Sequence, residues 1–163
     1  MIKTNTGREK INVNGAYNPV NQETICIEQE ESVNQQSNMK LVDKIVEQSF
    51  KDGKVITGKR ELFLVMDNAK YNHGKLFKEH LEKITQETGI NVRVIYLPAY
   101  SPNLNLIERL WKYSKKKLLW VYYEDKWKFK AAIENFFENE VKDKVEKLAL
   151  KQSIGTAFQI ISG

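Results

Sequence analysis

Two acidic residues stand where chemistry can be built. Asp67 ends the apolar run L-F-L-V-M (62–66) and opens the polar loop D-N-A-K-Y-N-H-G (67–74). Glu108 lies in the stretch Y-L-P-A-Y-S-P-N-L-N-L-I-E-R-L-W (96–111). A continuous apolar run is expected of a strand covered on both faces. The C-terminal ends of such strands are where open α/β sheets build their sites. A carboxylate there costs burial energy unless it is paired, hydrogen-bonded or metal-bound. A strand-end Asp67 beside a helix-borne Glu108 can converge on one divalent cation, and carboxylate oxygens suit Mg²⁺ or Mn²⁺. Two such ions about 4 Å apart activate a water or hydroxyl and stabilise the leaving oxygen in phosphodiester chemistry.

Both residues also have a plainer reading. Asp67-Asn68 is good turn material. Asn105-Leu-Ile-Glu108 has the form of a capping box, with the cap residue at 105 and Glu three places on; capping and metal binding are not exclusive. Asn68 is placed to orient Asp67 or a phosphate. His73, in the same loop, is placed to contact a phosphate or a water, whereas His80 reads as a packed histidine. Lys112, Lys115, Lys116 and Lys117 follow Glu108 closely, near Trp111, Tyr113 and Trp120. A duplex backbone needs such cations and gains salt-dependent, sequence-independent affinity from them; a solvated helix face is the alternative. Trp111 reads as core.

The elements that must position these residues follow from periodicity. Lys10–Tyr17 alternates Ile11, Val13 and Gly15 with Asn12 and Asn14, which marks a strand with one buried face. N-P-V-N (18–21) supplies a turn, and Glu23–Glu28 is a second alternating strand, so the two form an antiparallel hairpin. Residues 34–38 read as loop. From Asn38, taken as cap, a helix is expected with Met39, Leu41, Val42, Ile45, Val46 and Phe50 on one face and Gly53 at its end. After a connector at 54–60 comes the strand at 62–66. Lys75–Thr88 is a helix with Leu76, Phe77, His80, Leu81 and Ile84 on one face and Gly89 as C-terminal cap. Val92–Leu97 is the next strand. Strand, helix, strand in that space is a βαβ unit, so the two strands should run parallel. The helix carrying Glu108 spans about Leu106–Leu119, with Ile107, Leu110, Trp111 and Ser114 on its packing face. W-V-Y-Y (120–123) interrupts. A helical region at 125–150, broken in places, carries Ala132, Ile133, Phe136, Phe137, Val141, Val145 and Leu148. The tail after Gly155 shows no readable role.

Composition sets the outer limits. The chain has 163 residues with 41% hydrophobic and 29% charged content, which fits one globular domain rather than a disordered chain. Cys26 is the single cysteine, which excludes an intrachain disulfide and a Cys-based zinc site. No apolar run approaches the ~20 residues of a membrane span, and the first ten residues lack a signal-peptide core. A cytoplasmic location is expected, nucleoid-associated when DNA is bound. The net charge of +5 permits a polyanionic partner without proving one.

L-V-M-D-N-A-K-Y-N-H together with Y-L-P-A-Y-S-P-N-L-N-L-I-E-R-L-W resembles the DDE transposases of the IS630/Tc1/mariner superfamily, over roughly residues 8–140. The second block, L-P-x-Y-S-P-x-L-N-x-I-E-x-x-W, is the specific one. The resemblance implies an RNase H-like fold, a mixed sheet with antiparallel early strands and flanking helices. It implies Mg²⁺- or Mn²⁺-dependent cleavage and strand transfer on DNA, at transposon ends and target, by a protein that is a homo-oligomer in its full-length form. In that family three acidic residues bind the metals. Asp67 matches the second and Glu108 the third. The first lies on the first strand of the sheet, just before the hairpin, and residues 1–10 contain no Asp. The chain is therefore expected to be a single catalytic domain, partial at its N-terminus, lacking that strand and inactive alone. Such a sheet would leave backbone unpaired and favour self-association. Two alternatives stand beside it: a non-enzymatic remnant that binds DNA or a full-length transposase, and an unrelated nuclease of the same fold. Leu106 stands where the family often has proline, and Asn72 where it often has histidine, with His73 one place later.

Overall fold

The computed structural model describes residues 10–50, 60–98, 106–144 and 157–161. Strands β1 (Asn12–Asn18) and β2 (Glu23–Gln29) form the expected antiparallel hairpin, paired along their whole length. Its turn is fixed by Asn18, whose Oδ1 accepts from Val20 N at 2.9 Å, and by Gln22 at φ 62°. A positive φ is uncommon outside glycine. Gly15 lets the two strands close: a Cβ there would lie 2.8 Å from Cys26 Sγ and 3.1 Å from Ile25 O.

Helix α1 (Gln35–Phe50) starts earlier than periodicity indicated. Asn34 and Ser37 form a reciprocal box, with Ser37 N donating to Asn34 Oδ1 at 3.0 Å and Asn34 N donating to Ser37 Oγ at 2.9 Å. That pair satisfies two of the N–H groups a helix start leaves open. Asn38 is thus not the cap; it lies inside the first turns, fully buried. The expected end at Gly53 lies outside the described residues.

Strands β3 (Arg60–Met66) and β4 (Ile90–Tyr96) are parallel, as the βαβ pattern required, with α2 (Lys75–Thr88) crossing between them. Gly89 caps α2 at φ 72°, its N–H reaching Thr85 O. Leu62, Leu64 and Met66 are buried while Phe63 and Val65 are half-buried, so one face of β3 is the more deeply covered. Helices α3 (Leu106–Leu118) and α4 (Lys126–Asn135) follow. Asp125 caps α4 by accepting from Lys128 N at 2.8 Å. The helical region past it is broken, first by a π turn at Phe136–Glu140 and then by a 3-10 turn at Lys142–Lys144.

The sheet order is β2-β1-β5-β3-β4, where β5 is Ala157–Ile161 from the tail. This strand runs antiparallel to β1, through Gly15–Tyr17, and parallel to β3, through Phe63–Val65. The place between the hairpin and the βαβ unit, where a missing strand would have left a gap, is occupied by the chain's own C-terminal segment. A five-residue strand covers only part of its seven-residue neighbours.

Alternation along β1 divides the interior. Ala16 joins Ile25, Leu41, Val42, Ile45, Leu64, Phe77 and Ile90 under α1 and α2. Tyr17 points the other way, into a second cluster with Leu106, Leu110, Ile133, Phe136 and Phe137 from α3, α4 and the π turn after it. The result is a three-layer sandwich with helices on both faces.

Candidate functional site

Asp67 follows directly on β3, half-buried at the C-terminal end of a parallel pair. The chain then makes a tight return. Ala69 N reaches back to Asp67 Oδ1 at 3.3 Å, and a 3-10 turn, Lys70–His73, brings Asn72 under the carboxylate. Asn72 Nδ2 donates to Asp67 Oδ1 at 2.9 Å. The turn reading of Asp67 is therefore correct, and so is the expectation that a buried carboxylate needs partners: one group does both.

The next strand holds the loop from the side. Tyr96, the last residue of β4, donates its hydroxyl to Asn72 O at 2.7 Å. His73 stacks on the Tyr96 ring, centroids 4.0 Å apart, and pairs its Nε2 with Asn68 Oδ1 at 2.5 Å. Burial raises the pKa of the Tyr96 phenol. Asn68 and His73 are both exposed, so they form the outer rim of the loop while Asn72 forms its floor. Sequence reasoning gave Asn68 and His73 as candidates and passed over Asn72. The available signal was its position: five residues after Asp67, a polar residue in a loop too short to leave it in water.

Glu108 is the third residue of α3, on the face of the sheet opposite α1 and α2, and α3 packs against β5. Its side chain, and Asn105 of the expected capping box, lie outside the described residues, as do Pro102 and most of the specific second block. Among the described residues no cluster of three His, Cys, Asp or Glu forms a ready metal cage. Asp67 is a hard oxygen donor of the kind Mg²⁺ or Mn²⁺ takes, and the carboxyl type of residue 108 matches it.

The lysines separate. Lys112, Lys115 and Lys116 are exposed and form no ion pair among the described residues. Lys117 is different: it pairs with Glu140 and lies 5.8 Å over the Phe136 ring, which ties the end of α3 to the π turn. Beyond α3 the chain exposes Trp120 and Trp127, 84% and 75% accessible. Trp111 is core as expected, edge-on to Phe137 at 5.1 Å. His80 is half-buried and bonded to Asp43 at 2.7 Å, a packed histidine and not part of the site.

The family model described as DDE superfamily endonuclease matches residues 2–130. The chain belongs to this family. The fold is accordingly RNase H-like: a mixed sheet with an early antiparallel pair, a parallel pair and flanking helices. Endonucleases of the DDE superfamily act on DNA and generally use divalent metals. No curated protein matches the chain. The matched segment spans β1 through the first half of α4 and leaves β5 outside it. No described helix is long and apolar enough to cross a membrane.

Proposed function

We propose that this is the catalytic domain of an IS630/Tc1/mariner-type transposase, in which Asp67 and Glu108 are two of three metal-binding carboxylates. The observation that carries it is the build of the Asp67 loop: a carboxylate at the end of a parallel strand, gripped by Asn72 and Ala69 N–H groups on one oxygen. A grip of that kind sets the direction of a ligand before the ion arrives. Bound there, Mg²⁺ or Mn²⁺ would activate the attacking water or hydroxyl and stabilise the leaving oxygen. Asp67 and Glu108 would hold the ion, and Asn68 and His73 at the rim would meet a phosphate of the substrate. Lys112, Lys115 and Lys116 would meet the duplex backbone further along α3.

The chain alone is expected to be inactive. The strand beside β3 reads A-F-Q-I-I, and β1 beyond it reads N-V-N-G-A-Y-N; neither offers an acidic residue to complete a two-metal site. The same observation favours a second reading, a remnant that binds DNA or a full-length transposase without cutting.

A strand-cleavage assay with Mg²⁺ or Mn²⁺ on duplex DNA carrying transposon ends tests the first reading. No nicking by the chain alone, with salt-dependent DNA binding, is expected. Robust nicking that Asp67→Ala abolishes would show that the chain is complete without a third carboxylate. Absence of both DNA binding and metal binding would remove the nuclease reading altogether. Addition of full-length transposase distinguishes the remnant, which should change the cleavage rate without contributing Asp67.

A further inference from the structure

A line of three buried asparagines runs through the interior and ends on Asp67. Asn14 on β1 and Asn38 on α1 are fully buried, and Asn72 is 1% exposed. Asn14 Nδ2 donates to Asn38 Oδ1 at 2.7 Å, Asn38 Nδ2 donates to Asn72 Oδ1 at 2.6 Å, and Asn72 Nδ2 donates to Asp67 Oδ1 at 2.9 Å. The line joins β1, α1 and the loop after β3; β1 and β3 are themselves separated in the sheet by β5.

Its direction is dictated by its last member. An ionised carboxylate only accepts, so Asn72 must turn its NH₂ toward Asp67 and its oxygen toward Asn38. Asn38 must then donate to Asn72 and accept from Asn14. Each amide dipole points the same way, and aligned hydrogen bonds polarise one another in a low-dielectric interior. At the far end Asn14 Oδ1 is buried without a partner among the described residues. A buried acceptor left unmade is a cost that an apolar trio of similar volume would avoid. The arrangement thus serves direction more than stability.

We propose that Asn38 and Asn14 are positioning residues for the Asp67 carboxylate, setting its rotation through Asn72 so that the hairpin and α1 tune how Asp67 holds a divalent cation; this rests on the metal role given to Asp67 above. Neither touches the ion. They act through Asn72, as partners behind a ligand do when they fix its orientation and affinity.

The test uses the full chain, labelled with ¹⁵N, and Mn²⁺ as the probe. Mn²⁺ affinity is read from water-proton relaxation in the wild type and in Asn38→Leu, whose folding is checked by its amide spectrum. About a tenfold or greater loss of Mn²⁺ affinity is expected in Asn38→Leu, the range seen for partners behind a metal ligand. Affinity within about twofold of wild type in the folded variant overturns the proposal. Should Asn38→Leu not fold, the wild type decides: Mg²⁺ should shift the side-chain NH₂ resonances of Asn38 and Asn14, and unmoved resonances overturn it. If the wild type binds no Mn²⁺, the metal reading of Asp67 fails on its own. The line is then judged without metal. Asp67→Asn lets residue 67 donate as well as accept and should displace the Asn72, Asn38 and Asn14 side-chain resonances in turn. Displacement confined to Asn72 overturns it.

Discussion

Replacing Asn72 by leucine keeps the volume and removes the middle of the polar floor. Asn72 is almost wholly buried, gives one bond to the Asp67 carboxylate at 2.9 Å and receives one from Asn38 at 2.6 Å. A hydrogen bond to a charged group contributes about 1.5–3 kcal/mol, and the orphaned Asn38 donor adds a desolvation cost of about 1–3 kcal/mol. Asp67 is half-exposed, so water replaces part of the first loss, and leucine gains some apolar burial. The net cost should be about 3 kcal/mol. Against a usual stability of about 5–15 kcal/mol the variant still folds. Its melting point should fall by about 10 °C, at ~2–4 °C per kcal/mol for a chain of this size. Urea unfolding with linear extrapolation measures the difference directly. Asn38→Leu leaves the reverse orphan, Asn72 Oδ1, so the double variant Asn38→Leu/Asn72→Leu should cost about 1–2 kcal/mol less than the sum of the singles. A single-variant cost under about 1 kcal/mol, or an additive double variant, would contradict the coupling of these amides into one line.

Three further outcomes are expected. Ending the chain at residue 156 removes β5 from the middle of the sheet and bares the facing edges of β1 and β3. Sedimentation should then show self-association or loss of cooperative unfolding, and a monomer with wild-type stability would contradict the central placement of β5. Glu28 has its pKa raised by burial first and by the neighbouring Glu134 charge second, offset in part by Lys130 at 3.4 Å. The folded state thus binds its proton more tightly than the unfolded chain, so this group's contribution is fully present below the ordinary carboxylate value and is lost as pH rises through the folded pKa. Glu28→Gln should accordingly be more stable relative to wild type at about pH 7 than at about pH 4, as thermal melts at the two values would show. Changing Lys112, Lys115 and Lys116 together to Gln should weaken duplex binding evenly across sequences and lower the salt slope by about 2–3, measured by fluorescence anisotropy over a salt series; an unchanged slope would make that face plain solvent surface.

Much of the architecture was legible because it is local. The hairpin, the βαβ unit and the Gly89 cap each follow from periodicity and turn chemistry within a few residues, and the structure has them where those signals fall. The turn at Asp67 and the packing of Trp111 were legible for the same reason. What escaped depends on distant partners. Asn38 looks like a helix cap because asparagine usually is one; its burial against Asn14 and Asn72 is a tertiary fact no window reveals. Asn72 hides in a polar loop whose folding back depends on Tyr96, 24 positions away. A-F-Q-I-I is too short to show a period, and its partners, Gly15–Tyr17 and Phe63–Val65, lie far earlier in the chain. Lys117 belongs by sequence to a lysine run and by structure to Glu140 and Phe136.

The most direct test of the metal site is a paramagnetic map. Mn²⁺ titrated into the ¹⁵N-labelled chain broadens amides nearest the ion first. Shared binding by Asp67 and Glu108 requires broadening to begin at residues 67–69 and 107–109 together, and to disappear from both in Asp67→Asn. Broadening that begins elsewhere, for example at Glu134 and Glu138, or that survives unchanged in Asp67→Asn, would contradict the assignment of Asp67 as a metal ligand.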